Sequence, residues 1–137
     1  MGIDTLAYDP FMPYKEKSKD AFSNYWFSSS DGHTVEEFNQ LLDCKNVDRL
    51  VKNSSMCIAY THFANGFVDQ SGKVDKLFKE RLQYLAAQDG WFVPATQLLD
   101  YLNKQRNSNE YVSQMYLLKM DFQWLLERVY KKIVFGR

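Results

Sequence analysis

Apolar positions change their period several times along the chain, and each change marks an element. Val35, Phe38, Leu41 and Leu42 recur at three- and four-residue spacing, the period of one helical face. Thr34 and Glu37 stand at the front of that stretch as a T-x-x-E capping box. The hydroxyl accepts the N3 amide while the carboxylate reaches back to the cap residue's own amide. A second short helix is predicted over residues 47–52, with Val47, Leu50 and Val51 inward. Met56-Cys57-Ile58-Ala59-Tyr60-Thr61 is apolar at successive positions, which is how a strand covered on both faces reads, and it ends at His62. Helical spacing returns at Val74, Leu77, Phe78, Leu82 and Leu85, with Lys76, Lys79, Glu80 and Gln83 on the other side. Gly90 is the predicted stop, because glycine takes the left-handed conformation cheaply. Trp91-Phe92-Val93 then reads as a second short buried strand, and Pro94 opens a helix lined by Ala95, Leu98, Leu99 and Leu102. Strand, helix, strand and helix in tight succession predict parallel strands, right-handed crossovers and an α/β layer architecture.

The two ends of the sequence read differently. Tyr8-Asp9-Pro10-Phe11-Met12-Pro13-Tyr14 holds two of the three prolines and no period, so an extended arm is expected. Asn24-Tyr25-Trp26-Phe27-Ser28 is short and aromatic and suits a strand, with the turn-like Ser28-Ser29-Ser30-Asp31-Gly32 closing it. Residues 103–109 are polar and form the linker candidate. Over residues 110–133, Met115, Leu118, Phe122, Leu125 and Val129 alternate spacings of three and four, which predicts a long helix. Tyr116, Leu117, Met120 and Trp124 add apolar area outside that stripe. Arg128, Lys131, Lys132 and Arg137 make its last turns basic, as the helix dipole favours. The expected division is a domain over 1–106 and a C-terminal helix over 107–137, packed on that domain or extending from it. The alternative is a helix that docks on a partner or a membrane surface.

Composition narrows the function classes. A length of 137 residues suits one domain, and 45% hydrophobic with 25% charged residues is a globular balance. Seventeen basic and seventeen acidic residues cancel, so no global basic field exists for nucleic acid or anionic lipid, and no nucleic-acid partner is expected. The ten Phe, nine Tyr and three Trp are assigned to core packing in preference to sugar stacking. Cys44 and Cys57 are too few for a disulfide scaffold, which favours a reducing compartment. The first twenty residues, with Asp4, Asp9 and Lys15-Glu16-Lys17, hold no signal-peptide core, and no apolar run reaches the eighteen or so residues of a membrane span. A cytoplasmic chain without a transmembrane segment is expected.

Candidate chemistry is sparse. The two histidines are His33 and His62, with no His-x-x-x-His or Cys-x-x-Cys pair, so no metal or other cofactor is expected in this chain alone. His62 is the catalytic candidate. It follows a predicted strand and so stands at the carboxyl edge, where parallel α/β sheets place their sites, and an imidazole there exchanges a proton near neutral pH. Asp31 and His33 flank Gly32 just before the helix cap and are read as turn or capping residues. Asp69, Asp75, Asp89 and Asp100 are read as caps or solvated positions. No glycine-rich phosphate loop, nucleophile elbow or zincin motif occurs.

Cys57-Ile58-Ala59-Tyr60-Thr61-His62-Phe63, a helix, Gly90-Trp91-Phe92-Val93-Pro94 and a helix with Leu98, Leu99 and Leu102 follow one another in an order that resembles the C-terminal part of polysaccharide deacetylases of the NodB-homology type. The resemblance covers residues 34–106. In that family a late strand ends in an apolar-x-His motif; Tyr60-Thr61-His62 fits it, with Tyr where Leu is usual. The resemblance implies a deformed (β/α) barrel that removes acetyl groups from amino sugars with a bound divalent metal, usually zinc, an Asp as base and His62 as proton donor to the leaving amine. The family's early Asp-Asp motif and His-x-x-x-His metal pair are not found before Trp26, and a full barrel takes about 200 residues or more. The chain is therefore expected to be a partial barrel, the last few β/α units, truncated or inactive alone. It would self-associate through open sheet edges or pair with a missing upstream half. The competing expectations are a non-catalytic interaction module and a peripheral membrane protein that uses the last helix.

Overall fold

The computed structural model describes residues 11–105 and 111–136. Residues 8–10 of the expected arm, 106–109 of the expected linker, Glu110 and Arg137 lie outside the described residues. Five α-helices and two short strands are present among those described: β1 (Ser30–Gly32), α1 (Val35–Leu41), α2 (Cys44–Lys52), β2 (Ala59–Thr61), α3 (Lys76–Ala86), α4 (Ala95–Gln105) and α5 (Gln114–Phe135). The mixture of helices with a parallel pair of strands places the chain in the α/β class.

The chain divides into two compact units. One is Ser28–Leu98; the other joins the described parts of Pro10–Phe27 and Leu99–Arg137, so the division falls within α4.

In the unit Ser28–Leu98, β1 and β2 pair in parallel, with Ser30 beside Ala59, Asp31 beside Tyr60 and Gly32 beside Thr61. The Ser30 amide donates to Ile58 O at 2.8 Å and the Thr61 hydroxyl to Gly32 O at 2.6 Å. α1 closes over this pair. A Cβ on Gly32 would lie 2.7 Å from Phe38 Cα, so only glycine admits the helix this close. The Thr34 hydroxyl accepts the Glu37 amide at 3.4 Å as the capping box requires, but the Glu37 carboxylate takes the amide of His33, one residue before the cap, at 3.0 Å. α2 starts at Cys44, earlier than expected, because the Asp43 carboxylate accepts the Lys45 amide at 3.1 Å. α3 is capped by Asp75, which accepts the Phe78 amide at 2.7 Å and the Asn39 side chain at 3.1 Å. Asp69 folds its own turn by accepting the Ser71 and Lys73 amides at 2.8 and 2.9 Å.

The core of this unit is aromatic. Phe67, 1% exposed, meets Phe38 at 5.7 Å and Phe78 at 4.9 Å between ring centroids, both edge to face. Val35, Leu41 and Leu42 of the α1 region complete the cluster, with Cys57 and Leu85 packed against it. Arg81 of α3 reaches Asp43 at 2.8 Å and ties α3 to the front of α2.

Three strand expectations are corrected. Trp26 makes only an isolated antiparallel bridge with Tyr14, while the strand lies at Ser30–Gly32, the segment read as a turn. Trp91-Phe92-Val93 forms no strand: the Trp91 and Phe92 side chains are 55% and 57% exposed, and neither named strand takes the segment as a neighbour. β2 is not covered on both faces, since Ala59 and Tyr60 are exposed and Met56, Cys57 and Ile58 half-buried. Gly90 is not the end of α3 either. The helix stops at Ala86, where the Ala87 amide closes on Gln83 O and Leu85 O.

In the other unit, Tyr14 and Trp26 exchange both backbone hydrogen bonds, at 2.9 and 2.8 Å. Tyr111 bridges Lys15 in parallel, and its hydroxyl donates to Asp20 at 2.7 Å. The Tyr116 ring of α5 meets Phe11 at 4.7 Å. α5 begins behind a Ser113 cap and ends on Gly136, whose φ of 71° is the left-handed geometry glycine favours. Along α5, Met115, Leu118, Phe122, Leu125 and Val129 are exposed, from 50% at Val129 to 77% at Met115.

Candidate functional site: the carboxyl edge of the parallel pair

Because β1 and β2 are parallel and in register, the residues that follow them leave the sheet at the same edge. His33 follows β1 and His62 follows β2. Paired residues of a parallel ladder project to the same face and alternate residues share it. Asp31, His33, Tyr60 and His62 therefore occupy one face, while Gly32 lies under α1. The two imidazoles stack at 5.7 Å between centroids with planes 17° apart. Tyr60 stands edge-on to His62 at 5.1 Å, and its hydroxyl is 3.3 Å from His62 Nε2. Asp31 accepts a hydrogen bond from the Ser29 hydroxyl at 3.1 Å.

Backbone contacts fix this edge more firmly than its side chains do. Asn65 donates its side-chain amide to His33 O at 2.9 Å and its backbone amide to His62 O at 3.1 Å, and its own carbonyl accepts the Val35 amide at 3.0 Å. One residue thus clamps both histidine segments to the start of α1. Gly66 follows with φ of 84°, the positive value that lets the chain turn back toward Phe67. The Glu37 carboxylate on the His33 amide completes the frame.

His62 stands where the sequence predicts, directly after β2, and its side chain is exposed. His33, read only as a turn or capping residue, is half-buried beside it. The pairing was not legible because β1 itself was not: Ser30-Asp31-Gly32 has no apolar alternation. Asn65 carried no signal beyond its place in a loop. Had β1 been recognised, the equal offset of His33 and His62 from two parallel strands would have put both at one edge.

The arrangement offers an exposed imidazole at His62, a half-buried one at His33 and a phenol within hydrogen-bond reach of His62 Nε2. It does not offer a metal cage. Among the described residues no group of three or more His, Cys, Asp or Glu side chains is placed to hold a metal ion, whereas a catalytic zinc takes three protein ligands. The donor set in hand does not fit the metal that the deacetylase resemblance implies. Set against family models, curated proteins and solved structures, the chain matches none of them.

Proposed function

We propose that the chain is a polysaccharide deacetylase-like unit, a partial (β/α) barrel that contributes to hydrolysis of acetyl groups on amino sugars, with His62 as the proton donor. The observation that carries this reading is His62 at the carboxyl end of a strand in a parallel pair. The order β2, His62, α3 and α4 supports it, although Trp91-Phe92-Val93 between the two helices is not a strand. When an amide is hydrolysed, the nitrogen leaves as an amine only if it receives a proton, and the His62 imidazole at the sheet edge is the side chain proposed to supply it. Tyr60, hydrogen-bonded at Nε2, holds the ring in one orientation. The resemblance implies a metal-carrying segment or chain beside this unit, without which it would be inactive.

The experiment is acetate release from acetylated chito-oligosaccharides by the chain alone and by the chain extended with its in-frame upstream coding sequence. Turnover is expected only from the extended form, and His62→Ala is expected to lower its kcat by about 10² to 10⁴. Unchanged turnover in that variant reduces His62 to a structural residue. An upstream frame without Asp-Asp and His-x-x-x-His motifs transfers the case to the second reading, a non-catalytic interaction module, which the exposed apolar face of α5 favours. Use of that face on a membrane surface is the remaining alternative.

A further inference from the structure

α5 (Gln114–Phe135) is half-buried at Tyr116, Leu117, Met120, Glu127, Tyr130 and Lys131. Of these, Glu127 and Lys131 pair at 3.0 Å, and Tyr116 meets Phe11. On the opposite side Met115, Leu118, Phe122, Leu125, Val129 and Ile133 are exposed, from 50% at Val129 to 78% at Ile133. At 3.6 residues per turn these six side chains fall within an arc of about 80° and run for about 27 Å along the helix. The alternating spacing of three and four from Met115 to Val129 is that of a coiled-coil seam.

We propose that α5 is an interaction surface for a second copy of this chain, the two helices pairing antiparallel along this seam. The flanking charges select both the partner and its direction. Asp121 and Arg128 lie on the same flank, one heptad apart. When Phe122 faces Leu125 of the second copy in antiparallel register, Asp121 lies opposite Arg128 of the second copy, and the twofold axis repeats that pair. A parallel arrangement puts Leu126 of the second copy beside Asp121 and has no complementary charge there. At the end of the seam Lys132 faces Met115 of the second copy, laying its methylene stem over apolar surface with the ammonium in water. A lipid surface is the poorer occupant. The residues bordering the seam carry both signs, Asp121 with Lys119, Arg128 and Lys132, and the chain as a whole carries no net charge. This inference is independent of the hydrolytic reading.

Sedimentation equilibrium of the full chain across the micromolar range tests it. A reversible dimer is expected, and F122E/L125E, both at outward-facing positions, is expected to leave a folded monomer by circular dichroism. Asp121→Arg and Arg128→Asp each place like charges opposite one another twice in the dimer and are expected to raise its dissociation constant about tenfold. Together, D121R/R128D restores the complementary pairs and the wild-type constant. A monomer at all concentrations, or a dimer indifferent to F122E/L125E, overturns the proposal. Failure of the double exchange to restore affinity overturns the antiparallel register. Co-flotation of a monomer with phosphatidylcholine–phosphatidylserine vesicles, lost in F122E/L125E, assigns the seam to lipid and likewise overturns it.

Discussion

Gly32 shows how one residue positions the candidate site. It joins β1 to the approach of α1, and the space its absent side chain leaves is filled by the backbone of Phe38 at 2.7 to 2.8 Å from a would-be Cβ. Backbone cannot move aside as a flexible side chain can. Gly32→Ala is therefore expected to destabilise the unit Ser28–Leu98 by about 1 to 3 kcal/mol, the usual range for overpacking, measured as a lower urea midpoint without a change in slope. Glu16 illustrates a different kind of residue effect. Its carboxylate pairs with Lys19 at 2.8 Å and accepts the Ser18 hydroxyl at 2.6 Å, and these contacts, led by Lys19, hold its pKa below the ordinary value of 4.5. A depressed folded-state pKa contributes stability that is complete above the ordinary value and is lost as pH falls through the lowered one. Urea unfolding between pH 7 and pH 3 checks this: Glu16→Gln should lie below the wild type at pH 7 and converge on it at the acid end. An equal loss at every pH would show that Glu16 contributes through packing alone.

At the scale of elements, legibility in the sequence followed the strength of the local signal. α1 was legible because Thr34, Glu37, Val35 and Phe38 combine a cap with a period. α3, α4 and α5 were legible from their apolar spacing, with Pro94 marking the start of α4. β1 was not. Its three residues are small or polar, and what makes them a strand is non-local: the Ser30 amide on Ile58 O and the Thr61 hydroxyl on Gly32 O. Trp91-Phe92-Val93 failed in the opposite sense, having strand composition but lying outside both strands. The candidate site divides along the same line. His62 follows a legible strand, whereas its stacking with His33 depends on the register of an illegible one. The segment that carries both His62 and Asn65 runs directly into Phe67, the most enclosed aromatic of the core. Phe67→Ala is expected to cost about 3 to 5 kcal/mol, as large aromatic truncations in cores do. It should also abolish protection of the Val35 amide, which donates to Asn65 O, in hydrogen exchange. Retention of that protection would detach the histidine edge from the core.

For the whole molecule, balanced charge and the absence, among the described residues, of a helix long and apolar enough to cross a membrane leave two surfaces to explain: the histidine edge and the apolar seam of α5. In the proposed readings the first takes a substrate and the second a partner, and neither reading requires the other. The central claim is that the edge carrying Asp31, His33, Tyr60 and His62 is where an acetylated sugar meets this chain. The most direct measurement is a ¹H–¹⁵N NMR titration of the chain with acetylated chito-oligosaccharide at millimolar concentrations. Shift changes are expected to concentrate at residues 31–33 and 60–65, with weaker changes in His62→Ala. An unperturbed edge at saturating sugar, or perturbation confined to residues elsewhere, would contradict the account.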